Sequence, residues 1–271
     1  MRAVMLVGRG QTTPGSGAAL IRLAARCRAA GIAPIVAACF LRHQRPSFTE
    51  ALEQCIAQGA QEAVVVPYAL SLAEQERAEL DRLAEHGRLA YPHLVLRVTE
   101  PLGHHPALAQ VLVQRAIEAD YVAAHHLWAP QQRDTWPRWP PWHHRHAIGL
   151  VIVLDSQTGI PPTLREEVLS ACRYVPRYVD VHFCVVHQND LSLISSLEAF
   201  SAQGCRWVIL APYMLEPCAS LMAAIERIIT ETGARHPDIA IIQAEPLAYD
   251  RRLLKAIADR VQAHGQHDIA T

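Results

Sequence analysis

The chain has 271 residues, enough for one large domain or for two smaller ones that each bury a core. Hydrophobic residues make up 51% and charged residues 19%, which excludes a disordered chain. Lys and Arg number 25 against 26 Asp and Glu, which excludes the basic field that nucleic-acid binding requires. Because no apolar run is long enough to cross a bilayer and no signal cleavage site follows the first strand, we expect a cytoplasmic protein without a membrane partner.

Short β-branched runs alternate with longer amphipathic stretches in the first half of the chain. This alternation is typical of a mostly parallel sheet flanked by helices, in which ligands bind outside the carboxyl ends of the strands. In chain order the pattern predicts strand 3–8, helix 17–30, strand 34–40, helix 47–58, strand 62–68, helix 74–87, strand 93–99 and helix 105–118.

The second half of the chain repeats the first. Ala57-Gln58-Gly59 recurs as Ala202-Gln203-Gly204, a shift of 145 positions, and the same shift carries Pro67-Tyr68 onto Pro212-Tyr213. Near the first strand the shift becomes 146. A register kept over so many residues indicates duplication. Strands of the second copy are predicted near 149–154, 179–186, 206–212 and 238–244.

We therefore predict an α/β protein of two tandem repeats, each a mostly parallel four-stranded sheet flanked by helices, over residues 1–119 and 148–265. The segment 120–147 is rich in Trp, Pro and His, and its prolines indicate a linker rather than regular helix or central strand. Its tryptophans either cover an apolar face of a domain or stack on a flat ligand. Its histidines can coordinate a metal ion, and adventitious affinity is favoured over a structural site because no cysteine or carboxylate lies at zinc-site spacing.

Four segments of the first copy carry a resemblance to a known family. The segments are residues 6–10, 40–52, 64–70 and 101–108. They resemble, in order, the LVGHGSR, FLE…PSLxEAL, VVVPLFL and PLGPHPAL segments of the sirohydrochlorin chelatases of the CbiX/SirB type, which insert metal into a tetrapyrrole. The resemblance implies a class II chelatase fold, with two units facing each other across a tetrapyrrole cleft, and a place in cobalamin or siroheme metabolism.

The residues that handle metal in that family are replaced in this chain. Family members use the His of GHG and a second His in a GGH turn to hold the metal and to take protons from the pyrrole nitrogens. Arg9 and Gln75 stand at these positions, and Asp155 and Ser220 stand there in the second copy. Arg42 replaces an acidic residue that the family places after the second strand. A guanidinium neither ligates metal nor accepts a proton at neutral pH.

The replaced positions leave two sets of candidate site residues. Arg9 and Arg42 are substrate-binding candidates for the carboxylates of a tetrapyrrole, with a structural ion pair as the alternative for Arg9. For His104 and the neighbouring His105 the alternative is capping of the local backbone. No covalently bound cofactor is expected, and a divalent Co, Fe or Ni ion would enter as substrate. The candidate ligands of a relocated metal site are His43, Glu74, His104 and His187.

Three functions are compatible with these features. The first is an enzyme that inserts cobalt, iron or nickel into a tetrapyrrole. The second is a non-catalytic tetrapyrrole or metal carrier or scaffold, which would work with an active chelatase or another enzyme of the pathway. The third is an interaction module in which the segment 120–147 is responsible for recognition. Family resemblance favours the first, and loss of the histidines favours the second.

Overall fold

The computed structural model describes residues 1–12, 17–103, 105–125, 136–155, 162–186, 191–216, 219–248 and 250–263. Within these ranges the chain alternates strands and helices in the predicted order. None of the described helices has both the length and the apolar character that a bilayer crossing needs.

The first repeat forms a four-stranded parallel sheet in the order β2-β1-β3-β4. Its central strand β1 pairs with a strand on each side, and residues 3–7 of this strand are buried, because both faces of the sheet are covered. The strands are β1 (Arg2–Gly8), β2 (Ile35–Phe40), β3 (Glu62–Pro67) and β4 (Val95–Val98), and the helices that follow them are α1 (Ala18–Ala29), α2 (Phe48–Ala57), α3 (Glu74–Ala90) and α4 (Pro106–Ala124).

The second repeat forms a separate sheet with the equivalent order β6-β5-β7-β8, again parallel throughout. The predicted fold class and the predicted strands of both copies are thus confirmed. The strands are β5 (Ile148–Asp155), β6 (Tyr178–Val186), β7 (Trp207–Tyr213) and β8 (Ala240–Gln243), and the helices are α5 (Pro162–Cys172), α6 (Leu191–Ala202), α7 (Ala219–Arg235) and α8 (Leu253–Ala263).

Helix α2 shows how the local sequence determines where a helix of the first repeat begins. Ser47 accepts the backbone N–H of Glu50 on its hydroxyl at 3.3 Å, and the Glu50 carboxylate accepts the backbone N–H of Ser47 at 2.8 Å. This capping box satisfies two N–H groups that have no partner inside the helix. Phe48, Leu52 and Cys55 then recur at helical spacing and are buried in the core of the unit.

The chain divides into two compact units, and these do not coincide with the two repeats in sequence. Unit 1 comprises Met1–Ala107 with Tyr249–Thr271, and unit 2 comprises Leu108–Ala248. Helix α8, which ends the second repeat, therefore belongs to unit 1, and nearly all of α4, which ends the first repeat, belongs to unit 2. The boundaries 1–119, 120–147 and 148–265 remain a prediction about the duplicated sequence.

A buried ion pair fixes part of the segment 120–147 inside unit 2. Asp120 accepts hydrogen bonds from Nε of Arg177 at 2.8 Å and from the indole N–H of Trp139 at 2.9 Å. Both side chains of the pair are at most 4% exposed. Arg177 also donates to the backbone carbonyls of Pro140 and His144. Trp136 and Trp139 are buried as well, so these two tryptophans pack within unit 2.

Candidate functional site

The loops after β1 and β2 lie side by side at the carboxyl edge of the first sheet. The backbone N–H of Leu41 donates to the carbonyl of Gly8 at 3.0 Å, and that of Arg42 donates to the carbonyl of Arg9 at 3.1 Å. The pairing of β1 with β2 thus continues past the ends of both strands. It places two arginines on adjacent backbones at the edge where ligands bind in open α/β sheets.

Gly10 makes this close approach feasible. Its φ is +79°, and a Cβ atom at this position would lie 1.8 Å from the carbonyl oxygen of Arg42. Both the positive φ and the lack of space require glycine. The loop after β1 is therefore built to hold the loop that carries Arg42.

Arg9 is held by helix α3 and by the loop before it. Its Nε donates to the carboxylate of Glu76, with the nearer oxygen at 2.9 Å, and its Nη2 donates to the backbone carbonyl of Ser71 at 3.0 Å. Glu76 also accepts the backbone N–H of Ala73 at 3.1 Å. The Arg9 side chain is still 39% exposed. The ion pair lies within unit 1, and it leaves part of the guanidinium open to solvent.

Arg42 is held by a second glutamate of α3, which lies three residues after Glu76. Its Nε donates to Glu79 at 2.7 Å, and its Nη2 donates to the same oxygen. A third pair joins Arg77 to Glu100 at 2.9 Å. Three permanent cations, each with a carboxylate partner, therefore surround the first turns of α3. Each charge is balanced by its glutamate, but the exposed parts of Arg9 and Arg42 can still donate hydrogen bonds to a ligand carboxylate. Guanidinium does not ligate metal.

The remaining predicted site residues are less well connected. Glu74 and Gln75 open helix α3 with exposed side chains, and His43 is exposed with a φ of 60°. In the described ranges, no three His, Cys, Asp or Glu side chains come together as a metal site would require. His104 and His187 lie outside the described residues, as do the side chains of Asp155 and Ser220. The metal assignment to His43, Glu74, His104 and His187 therefore stays a prediction.

His105 has a structural role at the start of α4. Its Nδ1 accepts the backbone N–H of Ala107 at 3.1 Å, so Nε2 carries the proton that it donates to Asp259 of helix α8 at 3.0 Å. Lys255, and to a lesser extent His105, lower the pKa of the Asp259 carboxyl. His105 thus caps the backbone, which is the alternative that the sequence left open for it.

Sequence reasoning missed Glu76 and Glu79. The shift of 145 positions carries these two residues onto Leu221 and Ala224, while Arg9 and Arg42 correspond to Asp155 and His187. The second copy therefore lacks both ion pairs. The same is true of the exposed pair of Glu85 and Arg88, whose counterparts are Thr230 and Gly233, so comparison of the copies does not single out the two glutamates.

Comparisons of the sequence and of the fold with known proteins find the same group of proteins. The CbiX family model matches residues 3–119 and 162–264. The sirohydrochlorin cobaltochelatase of Priestia megaterium is 23% identical over 97% of this chain and 79% of its own length. The sirohydrochlorin ferrochelatase of the same organism is 27% identical over 79% of this chain and 73% of its own length. SirB from Bacillus subtilis with Fe3+ has the same fold, with a TM-score of 0.66, 19% identity and 98% of each chain covered.

Proposed function

Because the chain belongs to the CbiX family of sirohydrochlorin chelatases, we propose that it binds a sirohydrochlorin-type tetrapyrrole as a carrier or scaffold and does not insert metal itself. The observation that carries this proposal is the Arg9–Glu76 ion pair, formed where the resemblance to the family places a metal-binding histidine. Its cytoplasmic role would be to deliver the ring to an active chelatase or to another enzyme of tetrapyrrole metabolism.

Metal insertion needs a group that can hold a divalent ion and accept protons from the pyrrole nitrogens. The Arg9 guanidinium supplies neither a lone pair nor a basic site at neutral pH, and its charge repels a cation. The amide of Gln75 cannot take up a proton under the same conditions, and Arg42 adds a second positive charge. These three replacements together oppose chelatase chemistry at the carboxyl edge of the first sheet.

Tetrapyrrole binding is compatible with the same replacements. The ring of sirohydrochlorin carries eight carboxylates, and Arg9 and Arg42 present guanidinium groups from neighbouring loops. The Arg42 side chain is 47% exposed, so a ligand carboxylate can reach it without disrupting the core.

An anaerobic absorbance experiment tests this function. Metal-free sirohydrochlorin is titrated with the protein, and cobaltous or ferrous ion is then added. We expect a saturable spectral shift on binding, a metallation rate no faster than without protein, and at least a tenfold weaker complex for the double variant R9A/R42A. R227A, which removes an exposed arginine of unit 2, serves as the control. A faster metallation rate would contradict the proposal, and so would the absence of a spectral shift.

An active chelatase is the second candidate function, and its support is the match to a cobaltochelatase along 97% of the chain. His43 and Glu74 both lie at the carboxyl edge of the first sheet with exposed side chains, where a metal ion as substrate can reach them. On this account the protein accelerates cobalt insertion in the same experiment. H43A and E74A would each abolish the gain in rate, whereas the control R227A would leave it unchanged.

A further inference from the structure

We infer that Glu76 and Glu79 are positioning residues that make this edge selective for a ligand with two carboxylates close together, as in the acetate and propionate of one pyrrole unit. The inference rests on the proposed tetrapyrrole binding and specifies which groups of the ring the protein recognises. It is carried by the way in which α3 holds the two arginines.

The two glutamates hold the guanidinium groups in a fixed mutual arrangement. Glu76 and Glu79 are three residues apart on α3, so they lie on one face with Cβ atoms about 5–6 Å apart. Each carboxylate receives Nε of its arginine. The backbone bond between Arg42 and Arg9 fixes the other ends of the two side chains. One end of each arginine is therefore set by the adjacent backbones of the two loops, and the other end is set by the spacing of the two glutamates on α3.

The same contacts determine which part of each guanidinium is available. The contacts of Arg42 with Glu79 lie on its Nε–Nη2 edge, and Arg9 uses Nε for Glu76 and Nη2 for Ser71. Neither set of contacts uses Nη1. An arginine held along its Nε side presents its outer end to a ligand carboxylate, and it does so with little further loss of side-chain entropy.

Two guanidinium groups in a fixed arrangement bind a ligand with two neighbouring carboxylates more tightly than a ligand with one. In a sirohydrochlorin-type ring, each pyrrole unit carries an acetate and a propionate on adjacent carbons, so it presents two carboxylates side by side, as the adjacent loops present two arginines. A ring with one carboxylate per pyrrole unit satisfies only one arginine and leaves the other paired with its glutamate alone. The site should therefore select by the spacing of carboxylates and not by total negative charge.

Two porphyrins, compared in the wild-type protein and in glutamate variants, separate these effects. Uroporphyrin III carries an acetate and a propionate on every pyrrole unit, and in coproporphyrin III each acetate is a methyl group. We expect the wild-type protein to bind uroporphyrin at least tenfold more tightly, as measured by fluorescence titration, since one charge-assisted hydrogen bond is worth about that factor. E76Q and E79Q should each reduce the preference to about twofold, and E79D should restore part of it.

The direction in which the uroporphyrin preference changes in E76Q and E79Q distinguishes a positioning role from an effect of charge alone. Removing a carboxylate raises the positive charge of the edge, so charge alone predicts tighter binding of both porphyrins, with the larger gain for uroporphyrin, which carries twice as many carboxylates. The preference for uroporphyrin would then rise, whereas loss of positioning lowers it. E85Q is the matched control, because Glu85 lies on the same helix and pairs with the exposed Arg88 at 3.1 Å. Circular dichroism melting of each variant verifies that α3 is intact.

The outcomes also separate this inference from the proposed function. If sirohydrochlorin binds but E76Q and E79Q leave the uroporphyrin preference unchanged, the positioning role is wrong and tetrapyrrole binding stands. Equal affinity of the wild-type protein for the two porphyrins refutes the spacing argument in the same way. If neither sirohydrochlorin nor either porphyrin binds, both proposals are wrong.

Discussion

Removal of the Asp120 carboxylate should strongly destabilise unit 2. The substitution Asp120→Ala leaves the Arg177 guanidinium buried without its counter-ion and leaves the indole N–H of Trp139 without an acceptor. Breaking one partner of a buried ion pair typically costs about 3–5 kcal/mol, because the remaining charge has lost both water and its partner. We expect the free energy of unfolding to fall by about this amount and the melting temperature to fall by roughly 10 °C.

Urea unfolding followed by tryptophan fluorescence measures this change in the right part of the molecule. All five tryptophans of the chain lie within Leu108–Ala248, the residues of unit 2, so the signal reports on that unit alone. Glu231→Ala provides the control, because this residue forms an exposed pair with Arg227 at 3.3 Å and should cost less than about 0.5 kcal/mol.

A small effect would refute the reasoning. If D120A lies within about 1 kcal/mol of the wild-type protein, the pair does not hold unit 2 together. The double substitution D120A/R177M gives a second check, because it removes both charges and keeps apolar volume. It should recover part of the stability that D120A loses, and a further loss would show that Arg177 acts through its contacts with backbone carbonyls instead.

Three further predictions concern unit 1. Gly10→Ala should destabilise the protein by more than about 1 kcal/mol, since the new Cβ meets the Arg42 carbonyl. Gly31→Ala, at a φ of +73° and in open space, should cost only about 1 kcal/mol, and thermal melts compare the two variants. The pKa of Glu50 is lowered from its usual 4.5 by its hydrogen bonds with the N-cap serine of α2. The Glu50 carboxylate therefore stabilises the fold above about pH 4.5, and this contribution is lost as the pH falls through its lowered pKa. The substitution E50Q should flatten the dependence of the free energy of unfolding on pH in that window, and an unchanged dependence would contradict this. Burial raises the pKa of Cys55 to about 11, so iodoacetamide at pH 8 should label this thiol only after unfolding, as mass spectrometry would detect.

The sequence was sufficient to predict the sheets because hydrophobic periodicity and the repeat constrain them independently. The predicted strands 3–8 and 179–186 agree with Arg2–Gly8 and Tyr178–Val186 to within one residue at each end. The membership of α4 and α8 in the compact units was not predictable from the same pattern. An amphipathic helix reveals that it has an apolar face, but the pattern does not specify which sheet that face covers.

The candidate site was predictable only in part. Arg9 and Arg42 stand out because they follow strands and replace residues of a recognisable motif. Their partners do not stand out, because a glutamate on a helix is usually a solvated surface residue. The structure joins the four residues, because Glu76 accepts from Arg9 and Glu79 accepts from Arg42.

The membership of α8 in unit 1 reverses the order in which the two units can be completed during synthesis. Unit 2 is complete once Ala248 has left the ribosome, whereas unit 1 begins at the first residue and still lacks α8 at that stage. Its last contacts, such as that of Arg260 with the carbonyl of Leu102, join residues 158 positions apart. The nascent first sheet must therefore wait, with one flank uncovered, until α8 has been translated. A stall or truncation before α8 would harm unit 1 and leave unit 2 complete.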